Sequence, residues 1–416
     1  MNVDVVIFGG GVAGLWLLDD LVREGLHVAL IETGKLGQGQ TVASQGIIHG
    51  GFKYTLQGAW SKSAESIAEL PEFWRRSLRG EQSPDLQMTK LRAEQCYLWR
   101  TDSWSAKLGM WGARLGLKVA PRTISRSQRP AVLAYCPGHV ALIDEPVLSP
   151  RSLISALAAP HRSRLFHVDA VGGYEFELAE AGYIEAVHLK HPKAGERFTL
   201  HPRKMVFTAG AGNAGLRKLA GLETQRMQRR PLHMAVFRGP LPRLNGHCVD
   251  GAHTRITITS DVSAEGETIW QLGGQLAEQG VDLDEIELLQ RAVSEVAAVL
   301  PGIDLSQVSG TTYRVDRAEG LTADGKRPDG VHWLSEGNIV TAWPTKLVLA
   351  PRLSAEVRRR LAATMTRILP LGKTKSPIDF PDWPRPEIAN YPWEETVNWH
   401  ALADVQSSHQ SHRRAA

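Results

Sequence analysis

Cysteine is scarce in this chain: three residues in 416, at 96, 136 and 248, with no C-x-x-C spacing. That scarcity excludes a disulfide framework or a cysteine zinc site and points to a reducing compartment. Also missing is any apolar run long enough to cross a membrane, so no integral membrane segment is expected. An excess of one charge is absent too, with 48 basic against 44 acidic residues and a formal net charge of +4. Without a basic run or aromatic-basic alternation, a nucleic-acid partner is not expected. Fifteen histidines occur, but none in H-E-x-x-H or similar ligand spacing, and no metal is expected. The apolar pattern begins almost at Met1, which leaves no room for a signal peptide and implies a cytoplasmic location. What remains, 43% hydrophobic and 22% charged, is an ordinary globular chain with length for one or two domains.

What is present is concentrated at the start. Val5 to Phe8 form a short continuous apolar run, as in a buried parallel strand. It leads into Gly9-Gly10-Gly11-Val12-Ala13-Gly14, which fits G-x-G-x-x-G, and then into Leu15, Leu18, Leu21 and Val22 at helical spacing. Gly25 ends that helix, Val28 to Ile31 form a second strand, and Glu32 and Thr33 follow. Gly9 permits the tight turn, Gly11 lets the backbone approach a pyrophosphate at the helix N-terminus, and Gly14 lets helix and strand pack closely. Glu32 stands about twenty residues past the glycines, where a carboxylate accepts hydrogen bonds from a ribose. A dinucleotide site is expected here.

Next come Gly34 to Gln40, a polar loop suited to wrapping a pyrophosphate, and then Thr41-Val42-Ala43-Ser44-Gln45-Gly46-Ile47-Ile48-His49-Gly50-Gly51-Phe52-Lys53-Tyr54. This stretch resembles the flavin loop of FAD-dependent glycerol-3-phosphate dehydrogenases and their 2-hydroxyacid relatives, within the D-amino-acid-oxidase-like superfamily. The resemblance implies FAD as cofactor. It places Gln40, Thr41, Ser44, Gln45 and Gly46 under the flavin, and His49, Lys53 and Tyr54 at its substrate face. It covers residues 1 to about 375 and implies an α/β fold: a Rossmann-like FAD-binding domain interleaved with an antiparallel-sheet α+β substrate domain.

The rest of the chain is read against that frame. An amphipathic helix is expected over 61–80 and another around Trp104 to Leu115. Ser149-Pro150 opens a helix as N-cap and first residue. Arg164–Val171 reads as a strand, and the resemblance puts the Val171 backbone against the adenine. Met205 to Ala209 is a buried strand entering a second G-x-G-x-x-G, Gly210 to Gly215. That run reads either as a separate NAD site or as the strand end closing the FAD sheet; the ribose acid is missing after it, and the superfamily has Ala-Gly at this point, here Ala209-Gly210. Strand-like stretches at 234–237, 255–259 and 268–272 fit an antiparallel sheet, with a helix over 284–300 packed on it. Strand 339–342 and a helix introduced by Pro344 and running from Leu347 to Leu361 resemble the last FAD motif, with Trp343, Thr345, Lys346 and Leu347 at the flavin. Trp343-Pro344-Thr345 departs from the Gly-Gly-Lys of true glycerol-3-phosphate dehydrogenases, and the Pro/Trp tail is too short for their C-terminal helical domain. The expected division is 1–84, 141–225 and 313–380 for FAD, 85–140 and 226–312 for substrate, and 381–416 as a tail.

Catalysis needs an anion anchor and a proton acceptor. Arg314 offers a bidentate fork for a carboxylate or phosphate, with Lys53, Tyr54 and Lys346 as further candidates. His49 and His233 are the candidate bases. The expected activity is oxidation of a small anionic substrate, a hydroxy acid or polyol phosphate, with an unspecified electron acceptor (oxygen, quinone or a partner flavoprotein). The alternatives are an amine or amino-acid oxidase, or a flavin-bound assembly or redox-sensing protein with its tail as a partner surface. The FAD is expected to be noncovalent.

Overall fold

The computed structural model describes residues 1–50, 69–101, 121–250, 253–325, 328, 330–365 and 382–406. Lys53, Tyr54, residues 61–68 of the expected 61–80 helix and the helix around Trp104 lie outside the described residues. The first strand, Asn2–Phe8, is buried from Val3 onward because both its faces are covered. It pairs in parallel with Val28–Glu32 on one side and with Arg197–Phe207 on the other. Leu165–His167 and Ile339–Trp343 extend the parallel order outward, His332–Glu336 closes one edge in antiparallel, and the hairpin of Tyr174–Glu180 and Tyr183–Lys190 attaches to Arg197–Phe207.

One face of this sheet carries the helix Val12–Arg23, whose Leu15, Leu18 and Leu21 share a core with Leu153, Leu157, Leu353 and Val357 of the helices Pro150–Ala158 and Ala350–Thr364. Trp16 meets Trp74 of the helix Leu70–Leu78 edge-on at 4.8 Å, and the Trp74 indole donates to the Val348 carbonyl at 3.0 Å. Ser149 caps its helix by accepting from the Ser152 amide. The last helix starts later than its sequence pattern predicts. Leu347–Leu349 is a 3₁₀ turn, and α-geometry begins at Ala350, where Pro351 occupies the first turn that tolerates its missing N–H.

The second sheet is mainly antiparallel. Its order runs His400–Ala401, Ser309–Gly320, Met227–Gly239, Thr268–Gly273, His253–Val262, Gly246–Asp250, Cys96–Trp99, Val140–Ile143, Arg122–Thr123. The helix Glu285–Val299 packs on it through Leu289, Val293 and Val296, opened by an Asp284–Glu287 capping box. Two boundaries differ from expectation. Residues 140–143 and 309–320 belong to this sheet, because the long strand through Thr312 and Arg314 stays hydrogen-bonded to Met227–Gly239 along its whole length. The tail also returns to the body: the Ala389 amide donates to the Leu36 carbonyl, the Leu36 amide donates to the Glu387 carbonyl, and Trp383, Tyr391 and Trp393 are each buried. These three aromatics are therefore internal packing.

Candidate active site

At the end of the strand Asn2–Phe8 lies a groove of 530 Å3. Its floor is made by the glycine turn. A Cβ on Gly9 would come within 2.6 Å of Thr208 and Ala209 main chain, and one on Gly14 would meet the Gly9 carbonyl at 2.0 Å; both must be glycine. At Gly11 the space is open except for the Thr41 hydroxyl at 3.4 Å, so this backbone faces the groove. Gly11 is the N-cap and supplies no side chain to the first-turn amides, which leaves Val12 and Ala13 directing a helix N-terminus at the groove. The Glu32 carboxylate accepts from the Gly10 amide at 2.6 Å and the Gly34 amide at 2.8 Å. That holds it in place while its remaining lone pairs can accept ribose hydroxyls.

Thr33, Gln40, Thr41 and Ser44 form one wall; Ala209, Gly210, Lys346 and Leu347 form the other. The second glycine run thus faces the same groove as the first and closes it, which is the strand-end reading and not a separate nucleotide site. Thr208 and Pro344, which the sequence reading missed, also border the groove. Of the other expected cofactor contacts, three fall away from the groove and a fourth, Gln45, lines the adjoining cavity. Val171 is 93% exposed, in the turn after the short strand Leu165–His167. Trp343 is fully buried in its strand, its ring 5.8 Å from His332. Gly46 allows close approach to the Leu148 carbonyl, which a Cβ would meet at 2.0 Å. Gln45 spans to the second sheet, donating to the Thr257 and Gln271 carbonyls at 3.0 and 2.9 Å.

The groove opens at Ser44 and Lys346 onto a second cavity of 340 Å3, walled by the antiparallel sheet. Strand parity decides which charges reach it. Arg230, Leu232 and Met234 face the cavity, and the register pairs Arg230 with Arg317, which also lines it. His233 and Arg314 pair with each other one step out of phase and do not line this cavity, although Arg314 borders the adjoining groove. His233 is 3% exposed, bonded to the Gly280 carbonyl and the Thr312 hydroxyl, and burial followed by the Arg314 charge pushes its pKa down. Arg314 donates to the Val281 carbonyl and, at 2.7 Å, to that of Leu283. Both serve to tie the sheet to the 280–283 turn. The cations on the cavity wall are instead Arg230, Arg317 and Lys346, with Arg230 forked onto buried Glu319 at 2.7 and 2.9 Å and Arg317 on Glu278 at 2.9 Å. Thr345, at φ 61°, also lines it, its hydroxyl donating to the Gly330 carbonyl at 3.0 Å.

His49 is the candidate base on this wall. Its Nδ1 lies 3.0 Å from Glu145, which also accepts from the Gly50 amide at 2.8 Å. Glu145 is 2% exposed and has His247 Nε2 at 3.6 Å on its other side. Burial alone would raise the Glu145 pKa; the charges and hydrogen bonds of His49 and His247 outweigh it and hold the carboxyl well below the usual range. No motif marked Glu145 or His247, which are distant from His49 in sequence.

The profile of the FAD dependent oxidoreductase (DAO) family matches residues 4–344. The chain belongs to this family. A probable FAD-dependent oxidoreductase of Pseudomonas aeruginosa is 34% identical over 95% of this chain and 98% of its own length, and its crystal structure superposes with a TM-score of 0.77. The fold is shared at lower identity with glycine oxidase from Geobacillus kaustophilus (18%, 90% and 99% covered, TM-score 0.59) and L-alpha-glycerophosphate oxidase from Mycoplasma pneumoniae (13%, 94% and 100% covered, TM-score 0.58). This protein is thus an FAD-dependent oxidoreductase, and its donor set fits that cofactor: the Gly11–Ala13 helix start for the pyrophosphate, with the Val12 amide 3.4 Å from the Thr41 hydroxyl, Glu32 for the ribose, and Ser44 and Lys346 where groove meets cavity. Among the described residues no helix is long and apolar enough to cross a membrane.

Proposed function

We propose that the protein oxidises the hydroxyl-bearing carbon of a small anion, a hydroxy acid in preference to a polyol phosphate. The observation that carries this reading is His49 on the cavity wall with Nδ1 held by a buried carboxylate. Removing hydrogen from an alcohol takes two electrons and two protons, and the hydroxyl proton needs a base; oxidation of a neutral amine does not. With Nδ1–H donated to Glu145, the acceptor lone pair is on Nε2, where His49 takes that proton. FAD, when bound, supplies the acceptor for the electrons.

Charge balance on the wall supports a carboxylate. Glu319 and Glu278 offset Arg230 and Arg317, so the arginine charge on the wall is already balanced, which suits a monoanion better than a phosphate dianion. Arg317 and Lys346 are the proposed anchors. An amino-acid substrate is the second reading, favoured by Glu278 and Glu319 on the same wall as Arg317, since that pattern also complements a zwitterion. The fold alone does not separate the two. The test is a panel of hydroxy acids, polyol phosphates and amino acids scored anaerobically by loss of the yellow flavin absorbance. Bleaching is expected with hydroxy acids, and His49→Asn is expected to lower kcat by about 10²–10⁴-fold with little change in KM. Bleaching by amino acids only, with His49→Asn fully active, would establish the second reading.

A further inference from the structure

Two imidazoles share one buried carboxylate at the back of the cavity. Glu145 precedes the strand Val147–Leu148 and receives the Gly50 amide on Oε1 at 2.8 Å and His49 Nδ1 on Oε2 at 3.0 Å. His247, on the strand Gly246–Asp250, is 1% exposed; its Nε2 stands 3.6 Å from Glu145 Oε2, and its Nδ1 is 2.9 Å from the Thr257 hydroxyl. The two rings are 5.7 Å apart and tilted by 34°. Thr257 itself lines the cavity, as does His49. The unit therefore joins the flavin loop, the segment before Val147 and the antiparallel sheet through side chains whose polar ends converge on one oxygen.

A carboxylate buried this deeply is costly unless charge and hydrogen bonds compensate it. A structural ion pair needs only one partner. Here two histidines flank the same oxygen, and one of them is on the cavity wall. We propose that Glu145 is a positioning residue, fixing the tautomer and orientation of His49 and balancing the imidazolium that forms there, while His247 holds Glu145 from behind. The catalytic role of His49 rests on the function proposed above; the positioning of its ring does not. The step it serves is a proton transfer: the substrate O–H bond breaks, its proton joins His49 Nε2, and the positive ring is paired with the Glu145 carboxylate. No metal or further reactant is required. Other charged groups sharing the cavity with His49 are His253, Lys346 and the pairs Arg230–Glu319 and Arg317–Glu278, and all remain in place in the variants below.

The test is made on full-length holoenzyme with ¹⁵N-labelled histidine, the His49 signal being assigned by its loss in His49→Asn. The parent is expected to show a hydrogen-bonded Nδ1–H in His49. In Glu145→Gln that signature should vanish and the His49 titration midpoint should move down by one pH unit or more, since an imidazole loses a neighbouring carboxylate. Glu145→Asp should restore part of the shift, and His247→Gln should give a smaller shift in the same direction. With a bleaching substrate, Glu145→Gln should cost about 10²-fold in kcat at nearly constant KM and move the acid limb of the pH profile with the titration. An unchanged tautomer and midpoint in folded, yellow Glu145→Gln would overturn the proposal. So would a stoichiometric divalent cation in the parent that is lost in Glu145→Gln, because the three groups would then be ligands. If the ring shifts as expected but no hydroxy acid bleaches the flavin, the positioning role stands and only the substrate reading falls.

Discussion

At the scale of single residues, strand parity separates the arginines. Arg317 faces the cavity, whereas Arg314 is bonded to the main-chain carbonyls of Val281 and Leu283. Arg317→Gln removes a charge-assisted donor, worth about 1.5–3 kcal/mol, and is expected to raise KM for the bleaching substrate by roughly 10–100-fold. Arg314→Gln should leave KM near that of the parent, and steady-state kinetics on the pair decides which arginine anchors. His233 yields a pH prediction. Its pKa is lowered from the ordinary 6.5 by burial first and the Arg314 charge second, so the folded protein resists a proton that the unfolded chain accepts. Its stabilising contribution is present above pH 6.5 and is lost as pH falls toward the lowered folded value. Urea unfolding at pH 7.5 and 5.5 should show a smaller loss on acidification in His233→Gln than in the parent; equal losses would assign the pH dependence to other groups. Which residues of these strands face the second cavity was not legible in the sequence, because neighbouring strand residues alternate and one step of register exchanges the faces.

At the scale of elements, the strand-turn-helix of residues 2–23 was legible in full. Most of its requirements are local: an apolar strand, a glycine at 14 whose Cβ would collide with the Gly9 carbonyl, and a side-chain-free N-cap at Gly11. Gly11→Val fills the open approach to the helix N-terminus, so purified Gly11→Val should be folded by circular dichroism and colourless. Retained FAD at parental stoichiometry would move the pyrophosphate site away from this turn. The helix over 285–299 was equally legible, since the Asp284–Glu287 box and the apolar spacing coincide. The strand 309–320 was not. It carries Arg314, Asp316, Arg317 and Glu319 among its residues, a polar pattern that only pairing with Met227–Gly239 and the Arg230–Glu319 fork compensate.

At the scale of the whole molecule, the two sheets are joined by buried polar side chains and by the tail. Gln45, Gln271 and Tyr313 meet around the Ala43 carbonyl, which accepts from Gln271 at 2.8 Å and Tyr313 at 2.9 Å. Trp393 stacks on Tyr391 at 4.6 Å, within a cluster that contains Val42 of the flavin loop and Val236 and Ile269 of the second sheet. Trp393→Ala should therefore destabilise the protein by about 3–5 kcal/mol, measured by urea unfolding with FAD present; a loss below 1 kcal/mol would show that the tail does not bind the two sheets together. By itself the sequence determined the cofactor class, the mixed α/β fold and the loop that carries His49, because those follow from spacing within a few tens of residues. Tertiary structure decided which cations face the cavity, that Trp383, Tyr391 and Trp393 of the tail are buried, and that Glu145 and His247 stand behind His49. Those pairings join residues as much as 353 positions apart, from Leu36 to Ala389, and such contacts are set by sheet register and packing, which no local pattern encodes.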